Sequence, residues 1–111
     1  MKKLAFACAG LLLFLSTAVF AEEHADQALE HANQAVIHGK AGHAPILVQH
    51  AKAALEHALA AAIVAKGIPQ NHLEEAAKEL QESIDHGNLG HADVATKHAE
   101  AAVEHIKAGN Q

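Results

Sequence analysis

The sequence predicts an all-α protein, an up-down four-helix bundle built from two duplicated helical hairpins. Three observations carry this. Glycine-marked turns divide the chain beyond residue 22 into four pieces. Each piece is mainly Ala, Leu, Glu, Lys, Gln and His, with apolar residues recurring three and four apart. The last two pieces repeat the first two.

The chain opens on a different kind of segment. Lys2 and Lys3 precede an apolar run from Leu4 to Leu15, and Ser16 and Thr17 lead into Ala18-Val19-Phe20-Ala21. This is the three-part pattern of a secretory signal, with cleavage expected after Ala21 and Val19 at the −3 position. The run is short for a membrane span, which takes about 20 residues. Cys8 lies inside it with Ala5 three residues earlier, which argues against a lipid anchor. Residues 1–21 are expected to be a cleavable signal. Residues 22–111 are expected to form one periplasmic domain, free of the membrane after cleavage, with repeat units at about 24–66 and 72–109.

Helices are expected near 23–38, 44–66, 72–86 and 92–108. Gly39 and Gly42 mark the first turn, Gly67-Ile68-Pro69 the second, and Gly87 and Gly90 the third. Pro45 suits the first turn of the second helix, where no amide hydrogen is needed. Asn71 is expected to cap the third helix, with Glu74 as its partner three residues on. Gly39, Gly67, Gly87 and Gly109 stand where a C′ glycine is expected. The apolar stripe reads Ala25, Ala28, Leu29, Ala32, Ala35, Val36 in the first helix and Ala44, Leu47, Val48, Ala51, Ala54, Leu55, Ala58 in the second. It continues as Leu73, Ala76, Ala77, Leu80, Ser83, Ile84, then Ala92, Ala95, Ala99, Ala102, Val103, Ile106. These are a, d and e heptad positions, as a compact bundle needs. So Ala-rich a core predicts modest stability without a ligand, and an elongated pair of hairpins is the alternative.

A shift of 48 residues lays His38-Gly39-Lys40-Ala41-Gly42-His43-Ala44 on His86-Gly87-Asn88-Leu89-Gly90-His91-Ala92. His50, Ala51, Ala53, Ala54, Glu56 and His57 fall on His98, Ala99, Ala101, Ala102, Glu104 and His105. The repeating unit is thus a helical hairpin, present twice.

Composition removes several functions. The chain has one Cys, one Met, three Phe and no Trp or Tyr, and all of these Cys, Met and Phe lie in the first twenty residues. Beyond them the chain offers no thiolate or thioether for an Fe–S cluster, a disulfide scaffold or a soft Cu(I) site. It offers no aromatic platform for nucleobases, and its formal charge is negative, so no nucleic acid partner is expected. Loss of Lys2 and Lys3 takes that charge from −5 to −7, and full protonation of the 11 histidines takes it to +4. No catalytic triad, phosphate-binding loop or metallohydrolase motif stands out, so no enzyme activity is expected. A bis-histidine haem bundle is disfavoured because the histidines flank the core, and no Cys-x-x-Cys-His is present.

The histidines carry the functional signal. They fall at His24, His31, His38; His43, His50, His57; His72, His86; and His91, His98, His105. The step within a helix is seven residues, or fourteen in the third helix, where Glu79 takes the skipped position. Seven residues span about 10.5 Å of helix, too far for neighbours on one helix to share an ion. Across an antiparallel hairpin they meet at matching heights. Around the first turn His38/His43, His31/His50 and His24/His57 each sum to 81; around the third, His86/His91, Glu79/His98 and His72/His105 each sum to 177. Each hairpin therefore presents three rungs. Glu30, Glu56, Asp85 and Glu104 each precede a histidine and are candidate oxygen ligands or tautomer-fixing partners.

Helix propensity does not favour histidine, so eleven in mirrored register point to another purpose. Neutral imidazole suits Cu(II), Ni(II) and Zn(II), with Cu(II) the tightest. Two ligands per rung leave positions open to water, so several sites of weak to moderate affinity are expected. Cleavage after Ala21 would add a four-nitrogen Cu(II) or Ni(II) site at Glu22-Glu23-His24, in competition with the rung use of His24. The alternative is an acid-responsive, chaperone-like periplasmic protein driven by histidine protonation.

From His24 onwards the chain resembles the SmbP-like small metal-binding proteins of bacterial periplasms, a His-rich four-helix family. The resemblance rests on His31-Ala32 through His38-Gly39-Lys40-Ala41-Gly42-His43, His50-Ala51-Lys52, Leu55-Glu56-His57, and Val94-Ala95-Thr96-Lys97-His98-Ala99 to Glu104-His105. It implies a monomer that binds several divalent ions, copper above all, and buffers or scavenges them through the matching histidines. Glu79 stands where the repeat expects histidine and would weaken one rung. The end, Ala108-Gly109-Asn110-Gln111, lacks the extra histidines associated with the family, which implies a lower capacity.

Overall fold

Four helices follow one another with short connections: α1 (Lys2–Lys40), α2 (Ala44–Val64), α3 (Gly67–Asn88) and α4 (Ala92–Gly109). The computed structural model describes the backbone of residues 2–110 and the side chains of residues 19–110. No strand occurs among the described residues. α1 packs beside α2 and α4, and α3 beside the same two, so the helices stand at the corners of a square in up-down order. The two hairpins dock face to face, which settles the architecture in favour of the bundle over the elongated alternative.

Every residue of the expected stripe is buried or half-buried. Fifteen of the twenty-two buried apolar residues are alanine, and Leu47, Leu73, Leu80 and Ile106 are the largest fully buried ones. Methyl side chains let the helix axes approach closely. Glycine extends the same logic: a Cβ on Gly39 would overlap Thr96 Oγ1 and come within 2.7 Å of Leu47, and one on Gly87 within 2.5 Å of Val48. Two polar groups share this interior. Ser83 Oγ donates to the Ala95 carbonyl at 2.7 Å, across the α3–α4 interface, and Thr96 Oγ1 donates to Ala92 O at 2.6 Å.

The turns depart from the expected glycine roles. Gly39 and Gly87 are helical and buried, whereas Gly42 and Gly90 each have φ of +79°. His43 N donates to His38 O at 2.9 Å and Gly42 N to Gly39 O at 3.0 Å; His91 and Gly90 repeat this with His86 and Gly87. This is a Schellman ending with Gly42 and Gly90 at C′. The second glycine of each pair therefore ends the helix, because only it must be left-handed, while the first is there for packing.

The other departures lie at helix starts. α1 runs unbroken through the expected boundary after Ala21, since nothing between Ser16 and His24 is a Gly or Pro. The side chains of Lys2, Lys3, the apolar run and Cys8 lie outside the described residues. Among the described residues no helix is long and apolar enough to cross a membrane. α3 begins at Gly67, five residues before the expected start, with extended Lys66 preceding it and no side-chain cap. Asn71 is not its cap. Pro69 is accommodated in the first turn, whose amides have no carbonyl partner to lose. Gln70 Nε2 donates to Ala62 O at 2.9 Å and so serves an end carbonyl of α2.

Candidate metal centre

The repeated turn builds the first rung of each hairpin. In a Schellman ending the residues at C3 and C″ come together. Here these are His38 and His43, with ring centroids 6.2 Å apart, and His86 and His91, 6.1 Å apart. Each further seven residues along both antiparallel helices returns a histidine to the same edge. His31 Nδ1 lies 3.2 Å from His50 Nδ1, His24 Nδ1 2.8 Å from His57 Nδ1, and His72 Nδ1 3.2 Å from His105 Nδ1. The remaining rung places Glu79 Oε2 2.8 Å from His98 Nδ1. All six expected pairs are brought together.

These spacings have a chemical reading. Without an ion, one imidazole of a pair donates its N–H to the bare nitrogen of the other. With metal–nitrogen bonds of about 2.0–2.1 Å, two cis ligands of one ion stand about 2.8–3.4 Å apart. The three Nδ1 pairs already have that separation, so an ion can replace the shared proton once the rings tilt to turn both nitrogens toward it. His43 and His91 are exposed and the other nine histidines half-buried, which leaves every rung open to an arriving ion.

The rungs are not isolated. His31 stacks on His57 across the diagonal, with centroids 5.9 Å apart and planes 4° from parallel, and His38 on His50 at 5.5 Å and 4°. The first hairpin thus carries an unbroken zigzag of six rings: His24, His57, His31, His50, His38, His43. In the second, His86 stacks on His98 at 5.4 Å, and Glu79 interrupts the line below. Crowding has an electrostatic consequence. His50 is held below the usual imidazole pKa by burial first, then by repulsion from His31 and His38. His57 is lowered by burial, then by His24 and His31, with Glu56 opposing.

Glu30, Glu56, Asp85 and Glu104 make no hydrogen bond or ion pair with a histidine among the described residues. Asp85 accepts from Gln81 at 3.0 Å, and Glu104 lies 3.9 Å from Lys107. Consecutive helical residues diverge around the axis, whereas residues four apart share a face. The acid that does reach the site obeys that rule. Glu82, four before His86, places Oε2 3.8 Å from His86 Nε2. Glu82, His86 and His98 each bring one potential ligand atom within 4.8 Å of the others. Glu82 was legible as an i, i+4 partner of a ladder histidine.

A family model described as "Small metal-binding protein" matches residues 1–109. No curated protein matches the chain.

Proposed function

The chain belongs to the small metal-binding protein family, and from that premise we propose that it is a periplasmic, monomeric, multi-site binder of divalent transition metals. Cu(II) binds above Ni(II) and Zn(II), in buffering, scavenging or resistance, without catalysis. The observation that carries this reading is the set of Nδ1 pairs at 2.8–3.2 Å, which match two ligands of one ion. Imidazole donors rank the metals in the Irving–Williams order, which puts Cu(II) first. Export rests on the three-part segment at residues 1–21. Should the cut fall after Ala21, Glu22-Glu23-His24 becomes an N-terminal Cu(II) or Ni(II) site that draws His24 away from His57.

Mass spectrometry of the protein from periplasmic extract tests this, first denatured, then native with added Cu(II), Ni(II) and Zn(II). A chain beginning at Glu22 that takes up several Cu(II) ions supports the reading. A chain that takes up none at neutral pH removes it. The second reading, an acid-responsive interaction protein, is favoured by one observation: the lowered pKa of His50 and His57 in a line of touching rings. It requires acid-triggered client binding that is independent of metal.

A further inference from the structure

Glu79 breaks the imidazole ladder of the second hairpin, and what it builds instead is a different kind of site. We propose that Glu82, His86 and His98 form a mixed carboxylate–imidazole centre that takes the first Zn(II) ion, with Glu79 as the residue that orients His98. The proposal rests on the metal-binding reading and adds to it a division of labour between the hairpins.

Three observations converge. Ligand atoms of Glu82, His86 and His98 lie within 4.8 Å of one another. Glu79 Oε2 accepts from His98 Nδ1 at 2.8 Å, which protonates Nδ1 and leaves Nε2 as the free coordinating nitrogen. A carboxylate on the far nitrogen of a ligand histidine is the usual way a protein fixes tautomer and ring plane for zinc. His86 Nδ1 is buried without a hydrogen-bond partner, so no protein group commits that ring to one tautomer.

The ligand set selects the ion by charge and geometry. Two neutral imidazoles and one carboxylate offset half the charge of a divalent ion, where an all-imidazole rung offsets none. Zn(II) accepts three such ligands with water in the fourth, tetrahedral position. Cu(II), which favours tetragonal nitrogen donors, gains less from the carboxylate. The first hairpin cannot copy this centre. At the positions 48 residues earlier, Gln34 replaces Glu82 and His31 replaces Glu79, while His38 and His50 remain.

The test is a titration of the full chain with Zn(II), read by long-range proton–nitrogen spectra of the imidazoles. The first equivalent is expected to shift His86 and His98, with His98 bound through Nε2 and protonated at Nδ1. Glu82→Gln, at an exposed residue, should weaken that first site about tenfold or more, and Glu79→Gln should weaken it about 10–100-fold. Neither variant should alter Cu(II) uptake by His24, His31, His50 and His57. Zn(II) spread evenly over the first hairpin, or His98 bound through Nδ1, overturns the mixed centre while leaving metal binding intact. Absence of any Cu(II) or Zn(II) uptake overturns both.

Discussion

Glu79 Oε2 lies 2.8 Å from His98 Nδ1, at the level where the first hairpin sets His31 Nδ1 3.2 Å from His50 Nδ1. The two pairs are related by the 48-residue shift, and one side chain separates an imidazole pair from a carboxylate–imidazole pair. Glu79→His should therefore make the second hairpin like the first. It should add one Cu(II) rung and abolish the early Zn(II) site. Native mass spectra with Cu(II), alongside Zn(II) titration of the same variant, report both changes.

On the proposed reading the rung is the unit of binding, so its two members should not act independently. His31→Ala and His50→Ala together are expected to cost about as much Cu(II) affinity as either alone. A double-mutant cycle by calorimetry measures the coupling. Additive losses would mean that His31 and His50 serve different ions, with the diagonal contacts to His57 and His38 as the operative pairs.

On the same reading, bound ions would link α1 to α2 and α3 to α4, and would bind only where both helices are in place. Cu(II) should raise the melting temperature by mass action. At a free concentration a hundred times Kd one site adds about 2.7 kcal/mol. Calorimetric scans with and without Cu(II) should show a rise that vanishes on chelation.

Much of this was legible in the sequence because the relevant geometry is periodic. Antiparallel helices and a seven-residue step put His24 opposite His57 whatever the side chains do, so all six rungs followed from numbering alone. What was not legible depends on side-chain direction or turn detail. The stacks of His31 on His57 and His38 on His50 arise from ring tilt. Glu82 is an exception, since its spacing of four to His86 is a signal in the sequence, whereas Asp85 directly precedes His86 but diverges from it around the helix. Gly39 and Gly42 look alike in a sequence, yet a left-handed C′ is required only of Gly42, while Thr96 and Leu47 exclude a side chain only at Gly39. The helix start at Gly67 was obscured by Pro69, read as a breaker although the first turn tolerates it.

That glycine contrast gives a prediction. Gly42→Ala places a side chain at φ +79° and should cost about 1–2 kcal/mol. It should also loosen the His38/His43 rung, which the Schellman ending sets. Gly39→Ala drives a Cβ into Thr96 and Leu47, an overpacking that costs about 1–3 kcal/mol. Urea unfolding gives both costs. Cu(II) titration separates the mechanisms, because only Gly42→Ala should lower affinity at the turn rung.

The lowered pKa values of His50 and His57 contribute a definite sign to the acid response of the metal-free protein. Unfolded histidine titrates near 6.5, and both groups titrate lower in the fold, so the unfolded chain binds more protons over that interval. Stability should be full above about pH 6.5 and decline as pH falls through the folded values. His50→Gln and His57→Gln should flatten that decline, since each removes a group whose protonation the fold resists. Urea midpoints between about pH 5 and 8 measure it. Ions oppose the trend only where imidazole stays unprotonated, so Cu(II) stabilisation should fade over the same interval. Acid should then release bound ions and weaken the bundle through the same rings. A stability profile that rises on acidification would show that burial and repulsion at His50 and His57 are outweighed by attraction from neighbouring acids, Glu56 first among them.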